Sequence, residues 1–497
     1  MKIRKIKSVI YLIAIHTISF TSTAQKDYKL WLQYEPKNNI SLTTKYLNSI
    51  QGVVILGNSD TSKAITTELE LGLQSMLAHK IQYKTNTDGT NLLIIGNKLA
   101  LNDNLQQSLK SDFQKINKEG YIIKTIITKG KKNIVITGEN DVAVLYGVFN
   151  FLRLIQTNKS IENLTIVDSP KIDVRILNHW DNLDRTVERG YAGFSLWDWH
   201  KLPDFIDQRY IDYGRANASI GINGIVLNNV NANALILTPQ YLEKVEALAT
   251  AFRPYGLKVY LTARFSAPIE IGKLKTADPL DPNVINWWKS KAAEIYAKIP
   301  DFGGFLIKAN SEGQPGPQNY GRNHVDGANM LADALAPFGG IVMWRAFVYS
   351  EHDADDRAKQ AYSEFAPYDG KFKNNVIVQI KNGAIDFQPR EPFHPLFGAM
   401  PKTNTMMEFQ ITQEYLGFST HLVYLPKLYQ EVLESDTYTK GKGSTVAKVI
   451  DGTLYNNKIT GIAGVANIGN DLNWTGHPFG QANWYGFGRL AWNPYLN

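Results

Sequence analysis

The sequence predicts an α/β protein, a (β/α)8 TIM barrel preceded by a small α/β accessory domain. Three observations carry that expectation. From Lys171 onward, eight short apolar runs recur with helical stretches between them, the pattern of a parallel sheet buried on both faces. Ahead of them lies a unit with its own strand, helix and hairpin order. Most of the eight runs also end in polar, charged or aromatic residues, as barrel strands do where they build a site.

Residues 1–24 read as a secretory leader. Lys2, Arg4, Lys5 and Lys7 form a basic start, Val9 to Phe20 a mostly apolar stretch, and Ser22-Thr23-Ala24 a small-residue exit, with cleavage after Ala24. The stretch is short for a membrane span and His16 interrupts it. A periplasmic or secreted protein is therefore expected, with no membrane insertion after cleavage. Losing the leader lowers the formal net charge from +7 to +3. No dense Lys/Arg run remains, so no nucleic-acid partner is expected. Cysteine is absent, which removes disulfides and thiolate chemistry and leaves stability to the core.

Residues 25–160 form the accessory domain. Val53 to Gly57 and Leu92 to Gly96 read as strands, and a helix starts near Asp60. Tyr121 to Thr128 and Asn133 to Thr137 alternate about Lys129-Gly130-Lys131-Lys132 as a hairpin. Asp141 is expected to cap an apolar helix running to Leu154. No cluster of catalytic groups stands out in this unit.

Residues 161–497 supply the barrel. Its strands are expected at Val174–Leu177, Gly224–Leu227, Lys258–Thr262, Gly304–Lys308, Ile341–Arg345, Val376–Lys381, Met406–Ile411 and Ile462–Ala466. A doubly wound sheet is the alternative, but the first strand is not followed by a Gly-rich phosphate turn. The fourth run is the most telling. It ends in Lys308, and Glu312 follows inside the Gly/Pro-rich loop Gly313-Gln314-Pro315-Gly316-Pro317. A carboxylate there is held by a rigid strand end yet faces ligands. Asp386 follows the sixth strand and Glu414 the seventh, so three carboxylates are expected around one mouth.

Two carboxyl groups across a pocket are what glycoside hydrolysis needs, one to protonate the leaving oxygen and one to activate water or attack. Glu312 is the expected acid, on the reasoning that the loop prolines desolvate it and raise its pKa. Asp386 and Glu414 are candidates for the opposite side. Lys308, Arg345 and Lys381 suit an anionic group on the sugar, Arg345 in bidentate fashion. Such cations favour ionisation of Asp386 and so its base role. Trp180 and Trp344 are candidate sugar walls, although Trp344 on a strand is equally a core residue. Glu408 reads as a partner for a buried arginine and His179 as a structural imidazole. The histidines show no ligand spacing, so no metal is expected. Asp353, Asp355 and Asp356 lack an EF-hand pattern and read as a solvated helix start.

The strings Asn178-His179-Trp180-Asp181-Asn182, Glu188-Arg189-Gly190-Tyr191-Ala192-Gly193, Lys308 to Pro317, Lys381-Asn382-Gly383, Asp386 to Pro392 and Phe409 to Gly417 closely resemble the microbial α-glucuronidases of glycoside hydrolase family 67. The resemblance implies a cofactor-free inverting enzyme that removes α-1,2-linked (4-O-methyl-)glucuronic acid from the terminal xylose of glucuronoxylan-derived oligosaccharides. It puts the acid at Glu312 and the base function at Asp386 with Glu414. It sets Trp180, Lys308, Arg345 and Lys381 around the uronic acid, with Val230 as an apolar contact. Members continue past the barrel into a helical domain that helps form a homodimer. This sequence stops at Asn497, so that domain is expected to be absent and dimerisation weakened. A catalytically weak sugar-binding protein and a retaining hexosaminidase-like barrel are the competing readings.

Overall fold

The computed structural model describes residues 27–348 and 356–496. The leader, Asp353 and Asp355 lie outside the described residues. The chain builds two sheets. The first contains β1 (Gly52–Leu56), β2 (Leu92–Gly96), β3 (Tyr121–Thr128), β4 (Lys131–Gly138) and β5 (Thr165–Asp168) in the order β1-β2-β4-β3-β5. β1, β2 and β4 run parallel, while β3 is antiparallel to β4 and β5. Alternation sorts the side chains between two cores. Val53, Leu93, Ile95 and Ile136 pack with Leu69, Leu73, Leu145 and Leu152 of helices Asp60–Leu77 and Asp141–Gln156. Val54, Ile94, Ile122 and Val135 face the other way, onto Leu105 and Leu109 of helix Asp103–Phe113.

Two expectations for this unit change. The cap of the second long helix is Asn140, whose extended backbone lets its side chain accept from Ala143 N. Asp141 instead accepts from Ser59 Oγ at 2.5 Å and Asn97 Nδ2 at 2.6 Å, tying the helix start to two neighbouring loops. β5 lies beyond residue 160 yet pairs with β3, so strand pairing carries the first sheet past that division.

The second sheet is a closed barrel of eight parallel strands. They are β6 (Val174–Asn178), β7 (Gly224–Val226), β8 (Lys258–Thr262), β9 (Gly304–Ile307), β10 (Ile341–Arg345), β11 (Val376–Lys381), β12 (Thr405–Gln410) and β13 (Gly461–Val465). β13 returns to pair with β6, Gly461 opposite Val174, which rules out an open doubly wound sheet. All eight apolar runs read from the sequence are strands.

The two-residue period decides which strand-end side chains enter the mouth. Ile176, Val226, Leu306, Met343, Ile377 and Met406 fill the barrel interior. Their neighbours Leu177, Ile225, Ile307, Val342, Trp344 and Val378 belong to the layer shared with the surrounding helices. Continuing the interior parity by two or four residues brings Lys308, Arg345, Lys381, Glu408 and Gln410 to the inner face.

The accessory domain is joined to the barrel by buried charge. Arg215 grips Glu68 through Nε at 2.8 Å and Nη2 at 3.1 Å, and Tyr34 Oη donates to the same carboxylate at 2.7 Å. At the start of β6, Arg175 reaches Glu119 at 2.7 Å. Among the described residues no helix is long and apolar enough to cross a membrane.

Candidate active site

Lys308, Arg345 and Lys381 stand at the mouth of the barrel, each already facing a carboxylate. Lys308, just past β9, contacts the Glu312 carboxylate and donates to Asn231 Oδ1 at 2.8 Å. Arg345, the last residue of β10, forks onto Glu408 of β12, Nε to Oε2 at 2.8 Å and Nη2 to Oε1 at 2.5 Å. Lys381, the last residue of β11, contacts Asp386. The three cations surround one aromatic ring. Phe347 lies with its ring centre 3.1 Å from Lys381 Nζ, 5.5 Å from Arg345 Cζ and 5.8 Å from Lys308 Nζ. Glu312 and Asp386 are thereby brought to one cluster through the cations they contact.

Glu414 joins from the adjoining strand end. Arg189 Nε donates to its Oε1 at 2.5 Å and Gln410 Nε2 to its Oε2 at 3.0 Å. The next residue, Tyr415, donates its hydroxyl to Asp386 Oδ2 at 2.7 Å. Trp180 and Val230 are buried in the cluster that fills the barrel interior, together with Phe387, and the Trp180 ring centre lies 5.8 Å from Arg345 Cζ. All eight residues singled out for the site thus reach the mouth or the core beneath it.

Left-handed backbone occurs at or beside each of these carboxylates. Glu312 itself has φ +49°, as does its neighbour Asn310 at +54°, and Phe387 beside Asp386 and Gln413 beside Glu414 have φ +56° and +58°. Left-handed geometry at non-glycine residues costs roughly 1–3 kcal/mol each and persists where surroundings enforce it. For Asp386 the enforcing group is Glu391, which accepts from the backbone N of Ile385 at 2.8 Å and of Gln388 at 2.9 Å. Gly383 makes room for it. A Cβ there would lie 2.1 Å from Glu391 Cδ, closer than any packed contact permits.

The electrostatics separate the carboxylates. Burial alone would raise the Asp386 carboxyl, but Lys381, with hydrogen bonds from Lys381 and Tyr415, outweighs it and holds the group below the ordinary carboxylate range. Burial pushes the Lys381 ammonium down to about 8, against the pull of Asp386. Burial also lowers Lys308, reinforced by the nearby Arg345.

Three expectations are corrected here. Glu312 is not desolvated by its loop. Its side chain is 47% exposed and paired with Lys308, on a backbone that is left-handed at Glu312 itself. The Arg345 fork is not open to a ligand carboxylate, since Glu408 occupies it. Glu408 is the buried arginine's partner, as read. Trp344 is no sugar wall. It lies on the outer face of β10, fully buried, and donates Nε1 to His324 Nδ1 at 3.2 Å. His179 is structural, with Nε2 2.6 Å from Tyr213 Oη, and Asp356 caps helix Arg357–Phe365.

Sequence reasoning missed Phe347, Arg189, Tyr415, Glu188 and Glu391. Glu188 accepts from Asn229 and Asn231 at 2.9 and 3.0 Å, completing a chain to Lys308. The available signal was adjacency, since Tyr415 follows Glu414 and Phe347 lies two residues beyond Arg345. Cavity size does not locate this site. Hollows of about 430 and 630 Å³ elsewhere offer one carboxylate each, Glu35 and Glu364, whereas glycoside hydrolysis needs two. A smaller cavity of about 210 Å³, lined by Phe387, Arg390, Gln410 and Tyr415, adjoins the Asp386 side of the mouth. Among the described residues no group of three His, Asp or Glu side chains is placed to hold a metal.

Comparison with known proteins gives this arrangement a context. Residues 30–151 match the model of the glycosyl hydrolase family 67 N-terminus, and residues 154–474 that of the family 67 middle domain. A probable alpha-glucuronidase A of Aspergillus clavatus is 39% identical over 499 residues, covering 99% of this chain and 58% of the relative. The alpha-glucuronidase A of Emericella nidulans is 38% identical, covering 97% of this chain and 58% of the relative. The chain therefore spans a little over half the length of these curated relatives. Among solved structures, a GH138 enzyme targeting pectin rhamnogalacturonan II aligns with TM-score 0.51 at 16% identity, covering 90% of this chain and 51% of that one. That likeness speaks for the fold alone.

Proposed function

The chain belongs to glycosyl hydrolase family 67, and from that premise we propose that it is an exported, inverting α-glucuronidase acting on glucuronoxylan-derived oligosaccharides. The observation that carries this reading is the gathering of Lys308, Arg345 and Lys381 around Phe347, with Glu312 against Lys308 and Asp386 against Lys381. Buried cations at a mouth flanked by carboxylates suit a sugar that is itself an acid.

The chemistry divides as follows. Glu312, at the solvent edge, carries the proton to the glycosidic oxygen as the C1–O bond breaks. Asp386, kept ionised by Lys381, takes a proton from the water that attacks C1 from the opposite face. Tyr415 orients Asp386, and Glu414, fixed by Arg189 and Gln410, supports the water side. Lys308 and Lys381 hold the uronate, and Trp180 and Val230 pack beneath the ring. Trp180 Nε1 is buried without a hydrogen-bond partner among the described residues, which suits a donor reserved for a ligand.

Proton NMR of the first-formed product tests the reading. The β-anomer of glucuronic acid is expected. An α-anomer would favour the retaining alternative, and no release of uronic acid would favour a protein that only binds its sugar.

Lys381 also sets a pH limit. Below about 8 its ammonium is charged, and above that it is neutral. The dissociation constant for glucuronate is expected to rise about tenfold per pH unit above this point, and the break to vanish in Lys381→Met. A flat profile in the unmodified protein would remove Lys381 from the uronate site.

A further inference from the structure

Each of these three strand-end cations is already paired: Lys308 with Glu312, Arg345 with Glu408, Lys381 with Asp386. A uronate can take the direct ion-pair place on one of these cations only if the carboxylate there gives way, and their surroundings differ sharply. Glu408 is fully buried and held by both Arg345 and Gln379, so parting it from its arginine would strand a charge in the core. Asp386 is 21% exposed and is held by Tyr415 as well as Lys381. Its lysine is enclosed by the rings of Phe347 and Phe387. Glu312 is 47% exposed, and Lys308 is its one ion-pair partner among the described residues. Moving it into water costs little, while Lys308 keeps its bond to Asn231 Oδ1.

We infer that the uronate carboxylate displaces Glu312 from Lys308, and that this exchange makes Glu312 competent as the acid. The inference rests on the proposed function and deepens it. In the resting pair the Glu312 carboxylate is engaged with the Lys308 ammonium rather than with a leaving group. Once Lys308 turns to the uronate, Glu312 loses its cation and gains a negative neighbour. It then takes up one proton from solvent, and that same proton passes to the leaving xylose oxygen. The other charged groups around this corner include Glu188 beside Lys308, the Arg345–Glu408 pair, Lys381 with Asp386, and Arg264, which pairs with Glu270 and reaches Gln314 of the Glu312 loop at 3.2 Å. All of them keep their partners through the exchange. The uronate therefore selects itself in the chemical step as well as in binding, because a neutral sugar leaves Lys308 and Glu312 together.

Calorimetric titration of the whole chain with free glucuronic acid, in mildly acidic buffers of differing ionisation enthalpy, counts the protons taken up. Uptake of about half a proton or more per bound glucuronate is expected. It should disappear in Glu312→Gln and persist in Asp386→Asn. Binding without uptake, or uptake that survives Glu312→Gln, overturns the exchange while leaving the proposed function intact. Failure of glucuronate to bind at all overturns both.

Discussion

Glu312→Gln is expected to cut kcat for release of glucuronic acid from aldouronic oligosaccharides by about 10²–10⁴-fold, the usual contribution of a general acid. The amide keeps the size and shape of the side chain but carries no transferable proton. A xylose hydroxyl leaves poorly without one, so the loss falls on the chemical step. The fold should not suffer. Glu312 is half exposed, and its one ion pair is with Lys308. Lys308 is buried but keeps its bond to Asn231 Oδ1, and the amide of Gln can still accept from it, so the thermal midpoint should move by only a few degrees. Turnover of a xylan-derived aldotriouronic acid, measured beside a melting curve, checks both halves. Near-normal turnover would remove Glu312 from the acid role. Lost turnover with a collapsed melt would make its role structural.

The second large effect is on stability. Glu408 is fully buried and Arg345 is 2% exposed, and each is the other's charge partner. Glu408→Leu should destabilise the protein by about 3–5 kcal/mol, because the guanidinium is left in the barrel without compensation. The double change Arg345→Met with Glu408→Leu removes both charges together and should recover most of that loss, since well-packed apolar replacements of buried pairs are often neutral or better. Chemical denaturation of the two single variants and the double variant closes the cycle. Additive losses would mean that the two residues act independently. The stable double variant is also informative about function. It retains Lys308 and Lys381, so the change in its KM reports what the Arg345–Glu408 pair as a unit adds to uronate binding.

Much of this architecture could be read along the chain. Parallel strands covered on both faces read as unbroken apolar runs, so the runs ending at Lys308, Arg345 and Lys381 marked both the barrel and its mouth. Barrel strands deliver their ends to one face, and this made Glu312, Asp386 and Glu414 candidates together before any contact was known. The accessory sheet was legible for the opposite reason, its regular alternation between two cores.

Pairing was not legible. Arg345 and Glu408 are 63 residues apart, and Arg189 and Glu414 are 225. Only barrel closure decides that these ends meet, so a free bidentate arginine and an engaged one look alike in sequence. Exposure failed for a related reason. The loop prolines suggested a sheltered Glu312, but that side chain is half exposed on a left-handed backbone, and both are set by the folded surroundings rather than by composition. Trp344 shows the same division. Its place on a strand was evident, yet whether it faced sugar or helix depended on its parity being opposite to that of Met343 and Arg345 inside a closed sheet. The order of residues determined which chemical groups arrive at the mouth. Tertiary structure alone decided which of them hold one another, because electrostatic partnership depends on distance in space and on shielding from water.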